Sequence, residues 1–312
     1  MSVPAAGVLR SGTRPNALVG IALLIAAVAC FAVLDTTVKA ISLAVPFVMV
    51  MWARYAFQAV ATTLMVLPRR GRALLRTAHP RFQVLRGLLL VFSSALAFFA
   101  LKAMPVGEFT AIVMITPLVI TLLASLQFGE RVSALRWLLV VGGFAGTIII
   151  IRPAGDDFDG SLLLPLALVA SNTWFQLLTS RMAKTEDPMT MQFYTGWIGA
   201  LGFSVALPFF WVQLAPAGLW ASLALVGLAA TVGHLLMIFA YARAPVSTLT
   251  PFLYAQIGFA MLGGWIAFSH VPDQWSLVGI TMIAVCGATG AGLAMRESRA
   301  AKSQPVFSPT EI

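Results

Sequence analysis

Long apolar runs, each about as long as a bilayer is thick, alternate along the chain with short polar or basic connections. A spanning helix needs about 20 apolar residues, and ten segments supply that length: about 17–40, 47–67, 82–101, 106–127, 134–151, 160–180, 190–210, 218–242, 246–268 and 275–295. Polar and apolar positions almost never alternate with a period of two inside these runs, which excludes a transmembrane β-barrel. The pattern predicts an all-α membrane protein of ten transmembrane helices.

A repeat organises these runs. Phe99 to Thr110, FALKAMPVGEFT, returns 140 positions later as Phe239 to Thr250, FAYARAPVSTLT, with five of twelve positions identical. In each copy a Pro-Val step, at Pro105 and Pro245, joins two apolar runs, where a proline can open a helix but cannot continue one. Neighbouring offsets agree: Asp35 meets Gln176, Pro46 meets Pro188, Leu67-Pro68 meets Leu207-Pro208, and Phe128 meets Phe268. A repeat at this spacing divides the chain into two related halves. Residues 1–16 form a polar lead, 17–151 the first repeat, 152–160 a linker, 161–295 the second repeat and 296–312 a tail. Five spans per repeat is an odd number, so the second half is expected upside down relative to the first. Inverted repeats of this kind are a recurrent plan of secondary transporters, with substrate held near the midplane between the halves.

Composition changes the picture only by confirming the solvent. Of 312 residues, 60% are hydrophobic and 10% charged, too little polar surface to cover a soluble globule. The net charge of +9 does not mark a nucleic-acid module, because the basic residues sort by side of the membrane. With a cytoplasmic N-terminus, 16 of the 20 Lys and Arg residues fall inside, among them Arg69, Arg70, Arg72, Arg76, Arg81 and Arg86. Lys39, Lys102 and Arg152 fall outside and Arg54 within a helix, so the positive-inside rule predicts that both termini are cytoplasmic. The acidic cluster Asp156, Asp157 and Asp159 is placed in the outer linker. Cys30 and Cys286 lie inside spans and are read as small apolar packers rather than a disulfide. The first run is too long for a cleaved signal peptide and is read as a retained helix.

Ionisable groups inside a bilayer cost about 2.5–3.5 kcal/mol each on insertion scales, so each needs a partner or a use. Asp35 and Lys39 are four apart on helix 1 and share a face. Arg54 lies seven residues into helix 2, about 10 Å below its outer boundary, a depth Asp35 matches. Asp35 is expected to pair with Arg54 or Lys39, either as an outer gate and substrate contact or as an ion pair that only joins two helices. Asn172 and Gln176 on helix 6 form the inverted counterpart, as a second constriction or as interhelical hydrogen bonds. Trp174, Tyr194, Trp197 and Tyr254 are candidates to stack on a flat substrate, against the commoner packing or interfacial role; Gln256 completes the candidate binding and gating set. His234 is read as a hydrogen-bonded packing residue, and Glu108 as a carboxylate favoured by a helix start. Gly142 and Gly146 on helix 5, and Ala284, Ala288 and Gly292 on helix 10, are expected close-packing faces.

Several motifs carry a resemblance that runs from about Ala17 to Met295. They are the Arg54 step in helix 2, Leu85-Arg86-Gly87-Leu88-Leu89-Leu90 entering helix 3, the Ala-x-x-x-x-Pro-Val corner, Thr116-Pro117-Leu118, and Phe128-Gly129-Glu130. The sequence resembles the EamA-type members of the drug/metabolite transporter superfamily, and within it the branch of S-adenosylmethionine uptake and riboflavin transporters. The second half departs from the pattern at Ile257, where the family often has a helix proline, and at Ser269-His270, which replaces the Gly-Glu step. The resemblance implies a secondary transporter of a small polar organic metabolite, similar to S-adenosylmethionine, riboflavin or an amino acid, in a bacterial inner membrane. The alternatives are an exporter of metabolites or drugs and, from another class, a membrane scaffold or lipid sensor without flux. No His-Glu-x-x-His, Gly-x-Ser-x-Gly or paired intramembrane aspartates occur, so no enzyme, metal or cofactor is expected. No Gly-x-x-x-x-Gly-Lys-[Ser/Thr] loop occurs, which argues against an ATP-driven pump. The expected partners are a small-molecule substrate and the lipid bilayer, with no nucleic acid and no signal for oligomeric state.

Overall fold

Prolines open most of the helices, because each has a preset φ and lacks only an N–H that a first turn leaves unbonded anyway. The computed structural model describes residues 17–71, 75–127, 133–152, 160–182, 185–214, 216–244, 249 and 252–303. Its helices are α1 (Ala17–Ile41), α2 (Phe47–Arg70), α3 (Pro80–Ala103), α4 (Val106–Val113), α5 (Thr116–Gln127), α6 (Ala134–Ile151), α7 (Leu164–Met182), α8 (Pro188–Phe210), α9 (Ala217–Arg243), α10 (Ala255–Phe268) and α11 (Gln274–Ser303). Pro46, Pro105 and Pro216 stand at the N-caps of α2, α4 and α9, while Pro80 and Pro188 occupy the first turns of α3 and α8. Asp187 caps α8 through its side chain, accepting from Met189 N at 2.9 Å and Thr190 N at 3.2 Å.

The described residues contain no strand. Six helices, α1, α2, α3, α8, α9 and α11, are long and apolar enough by length and composition to cross a membrane. Shorter apolar segments cover Val106–Ile120, Trp137–Ile151 and Ala255–Phe268. The motif Phe128-Gly129-Glu130, the acidic cluster of the linker, the second corner at Pro245-Val246, the polar lead and the end of the tail lie outside the described residues.

Element boundaries recur at the spacing of the sequence repeat. α2 and α8 end at residues 70 and 210, α3 and α9 at 103 and 243, and α6 and α11 begin at 134 and 274. The packing partners follow a matching rule: α1 lies on α9 and α3 on α7, α1 on α10 and α4 on α7, α2 on α8, α4 on α10, and α6 on α11. Buried apolar side chains from both halves form the main core, with Tyr55, Met49, Met51, Leu101, Ile112, Ile115 and Ile283 under 2% exposed.

At the α6–α11 crossing the backbones touch. A Cβ on Gly146 would sit 2.9 Å from Gly279 O, and one on Gly279 would sit 2.6 Å from Gly146 O, so neither site has room for a side chain. The Gly142 and Gly146 face is therefore in use. The matching face on α11 is Gly279, Ile283 and Cys286, not the expected Ala284, Ala288 and Gly292: Ala288 is exposed and nothing lies within 4 Å of a Cβ on Gly292. Both cysteines are free thiols.

Candidate functional site

The expected span 106–127 is interrupted. α4 stops at Val113, Met114 and Ile115 form a turn, and α5 begins at Thr116. Pro117 is the cause, since it has no N–H to give to Val113 O and its ring crowds that carbonyl. The backbone adjusts: Ile115 N donates to Ile112 O at 3.1 Å, and Leu118 N and Val119 N both turn to Ile115 O, at 2.9 and 3.1 Å. The same interruption stands 140 residues later, where Tyr254 forms a turn between Leu253 and Ala255. Met114 has φ −70° and ψ 0°, and Tyr254 has φ −65° and ψ −15°. Here Ile257 takes the place of the proline, and its N–H turns to Tyr254 O at 3.1 Å.

α1 packs on α10, the helix that begins at the second interruption, and touches α4. Gln256, two residues past the second break, hydrogen-bonds the Asp35 carboxyl, and the Arg54 guanidinium of α2 lies within electrostatic range of the same group. Asp35 itself is half-buried. Arg54 Nη1 donates to Ser94 Oγ at 3.1 Å, and Ser94 in turn shares a 2.8 Å hydrogen bond with the Tyr55 hydroxyl. Arg54 Nε is buried without a hydrogen-bond partner. The guanidinium also lies over the Tyr55 ring, 5.5 Å from its centroid.

Lys39 is engaged elsewhere. Its Nζ donates to Leu101 O and Met104 O, each at 2.8 Å, at the end of α3. A cation there satisfies carbonyls that have no partner in the helix and opposes the negative end of its dipole. The pairing of Lys39 with Asp35 is therefore replaced by a clamp on the Pro105 corner. Glu108 stands in the first turn of α4, with His270 Nε2 at 3.7 Å from its Oε1.

The remaining candidates divide. Tyr254 is buried at the second break with its hydroxyl unbonded, its ring filling the space above Gly287. Tyr194 donates to Leu75 O at 2.9 Å near the α2–α3 connection, and Trp197 Nε1 donates to Thr63 Oγ1 at 3.0 Å, tying α8 to α2. On α7, Asn172 is half-buried and Gln176 exposed. Trp174 is 61% exposed and shares a stripe with exposed Ala167 and Ala170, opposite the packed Val169 and Thr173. It faces away from the interior. His234 Nδ1 bonds Ala230 O at 2.7 Å, and its ring meets Phe31 edge-on at 5.0 Å.

Two ionisable residues gain a role that sequence patterns did not assign. Arg86, counted with the cytoplasmic charges, is 6% exposed inside α3. It donates to Thr179 Oγ1 at 2.9 Å, Met191 O at 2.8 Å and Thr195 Oγ1 at 2.6 Å, with Phe175 5.1 Å beneath the guanidinium. Its position inside the expected span 82–101 was the available signal. Glu186 is buried between α7 and α8, where its Oε1 accepts from Thr77 Oγ1 at 2.7 Å, Ala78 N at 2.7 Å and His79 N at 3.0 Å. No sequence signal pointed to it, because its partners are backbone groups more than 100 positions away.

Comparison with known proteins agrees with this architecture. The EamA-like transporter family matches residues 18–152. A riboflavin transporter of Rhizobium johnstonii is 29% identical over 86% of this chain and 89% of its own length. An S-adenosylmethionine uptake transporter of Rickettsia felis is 27% identical over 68% of this chain and 72% of its own. A solved crystal structure, 20% identical, matches the fold with a TM-score of 0.60 over 86% of this chain and 97% of that one. With its apolar helices and these bacterial relatives, the chain is a multi-pass inner-membrane protein. Residues 18–152 thus match the EamA-like transporter family, and the chain as a whole is similar to bacterial riboflavin and S-adenosylmethionine uptake transporters.

Proposed function

We propose that this transporter moves a small polar organic metabolite by alternating access between two inverted five-helix repeats, residues 17–151 and 161–295, with both termini cytoplasmic. The observation that carries the reading is the pair of helix interruptions at Met114 and Tyr254, 140 residues apart, beside Asp35 and Gln256. Interrupted helices in corresponding positions of two halves are the best pointer to a transporter's binding site, because irregular backbone survives at membrane depth only in protein or along a cavity. Packing supports the duplication: exchanging the halves maps the α1–α9 contact onto α3–α7 and the α1–α10 contact onto α4–α7. The α2–α8, α4–α10 and α6–α11 contacts map onto themselves. Such an arrangement has two equivalent ways to lean, one open to each side.

The substrate class follows from the chemistry and the relatives together. Asp35, Gln256, Arg54 and Tyr254 present both hydrogen-bond donors and acceptors in an apolar setting, which suits a polar heterocycle such as riboflavin or the nucleoside portion of S-adenosylmethionine. The test is uptake of labelled riboflavin, S-adenosylmethionine and an amino-acid panel into cells producing the protein, with and without a protonophore. Saturable uptake of one compound above cells lacking the protein is expected. Its sensitivity to the protonophore separates coupling to membrane energy from exchange or facilitated diffusion. No movement in either direction, including efflux from preloaded cells, overturns the reading.

A further inference from the structure

Threonines inside membrane helices ordinarily return the hydroxyl to the carbonyl one turn back. This protein supplies its own controls. Thr37, Thr63, Thr147, Thr173, Thr195 and Thr231 all do so, at 2.6 to 3.2 Å. Among the described residues three buried threonine hydroxyls have no hydrogen-bond partner: Thr36 of α1, packed against Gly263, and the pair Thr110 and Thr116. Thr110 and Thr116 are 1% and 2% exposed. These two flank the α4–α5 break, one on each side.

The backbone at the break is short of donors as well. Val113 O cannot receive a hydrogen bond from Pro117, and Leu118 N, the normal donor to Met114 O, is spent on Ile115 O. Neither carbonyl therefore keeps the donor that a continuous helix would give it. Two carbonyls and two hydroxyls thus share a short stretch of α4 and α5 with unused accepting capacity. On the facing helix the hydroxyl of Tyr254, at the second break, is unbonded too. Unsatisfied backbone at membrane depth persists only beside protein or water that can complete it. The two carbonyls accept and cannot donate, so completing them calls for a donor.

We infer that the α4–α5 break, through Val113 O, Met114 O and the hydroxyls of Thr110 and Thr116, binds an N–H-bearing edge of the transported molecule, such as an imide or exocyclic amine. This inference rests on the transport reading and adds the chemistry of one side of its site. The hydroxyls accept or donate but the carbonyls only accept, so a ligand that presents only acceptors here leaves both carbonyls unpaired. The preference then lies in how many donors the ligand carries along one edge.

Two substitutions separate a binding role from a structural one. P117A restores the missing N–H and lets the helix close over Val113 O. It is expected to raise the melting temperature of the purified protein and to lower transport by about tenfold, the effect of one well-placed hydrogen bond. T116V keeps the shape and removes the hydroxyl. It is expected to leave the melting temperature unchanged and to raise KM about five- to tenfold, whereas T147V, at a back-bonded threonine of α6, leaves KM unchanged. The probes are whichever of riboflavin and S-adenosylmethionine the wild type moves in proteoliposomes. Wild-type transport with unaltered kinetics in both P117A and T116V overturns the inference and leaves the transport reading standing. Where the wild type moves neither probe, the transport reading fails, and T116C in a C30A/C286A background decides the site by itself. Modification by a water-soluble methanethiosulfonate, slowed by P117A, supports it, and no modification overturns it.

Discussion

The two ends of α3 are held by opposite charges doing the same work. At its C-terminus Lys39 feeds two protons to carbonyls that the helix leaves unbonded, and at its N-terminus Glu186 collects the free N–H groups of Ala78 and His79. The difference is where the charges come from. Lys39 belongs to α1, in the same proposed half as α3, while Glu186 belongs to the connection between α7 and α8 in the other. On the proposed rocking of the two halves, a clamp within one half travels with it, and a clamp between halves opens in one of the two states. Arg152 and Asp273 repeat the second type at the other end, joining the end of α6 to the start of α11 through both carboxylate oxygens, with Ser276 alongside.

Breaking the Glu186 clamp has the largest expected effect. E186A strips a buried acceptor from two backbone N–H groups and a threonine hydroxyl, at an expected cost of about 3 kcal/mol in stability. E186Q, which keeps one carbonyl oxygen, loses less. Melting temperatures of the purified variants check the order, and reagent access to a cysteine placed at Thr77 checks that this side opens. K39M is expected to cost about 2 kcal/mol by uncovering Leu101 O and Met104 O. Because that clamp lies within one half, access from either side should not shift, and K39R should restore most of the stability.

The end of α10 permits a gain. Ser269 ends α10 with φ +52°, a left-handed conformation that suits glycine, at the position where the repeat partner is Gly129. S269G is expected to raise stability by about 1 kcal/mol, measured as a higher melting temperature with unchanged transport. The smallest effect belongs to the Arg152–Asp273 pair. Both side chains are about half exposed, and pairs of this kind contribute about 0.2–1 kcal/mol before salt screening. The hydrogen bond from Arg152 pulls the Asp273 pKa down to about 2. A depressed carboxylate contributes stability above its unfolded value near 4 and loses it as pH falls through about 2. D273N should therefore lower stability slightly and equally from pH 5 to 8, with the difference vanishing in acid and shrinking in high salt. A pH-dependent difference near neutrality would contradict the assignment.

Six of the spans, the Pro105 corner and the 140-residue spacing were legible because they rest on long apolar runs and prolines, signals that survive in one dimension. The interruption at Met114 was only half legible: Pro117 stood in the sequence, yet the apolar run continues through it without a polar mark. The interruption at Tyr254 was not legible at all, since Ile257 is a residue that a helix accepts. Pairings failed for a related reason. Spacing put Lys39 and Asp35 on one face of α1, but the free carbonyls of α3 took the lysine, and such acceptors are invisible in a sequence. Trp174 could be judged aromatic but not which way it faces, and the close-packed face of α11 was misplaced because small residues at four-residue spacing occur on more than one stripe.

The central claim is that the interrupted helices and Asp35 form the path of a transported metabolite. The most direct test is counterflow of labelled riboflavin and S-adenosylmethionine in proteoliposomes carrying the wild type or D35N, with insertion and melting temperature of both preparations matched. The account predicts saturable accumulation of one compound by the wild type and a loss of at least about tenfold in D35N, the effect of a single displaced charge-assisted contact. Counterflow at the wild-type rate in a correctly inserted D35N, or none in the wild type, would contradict it.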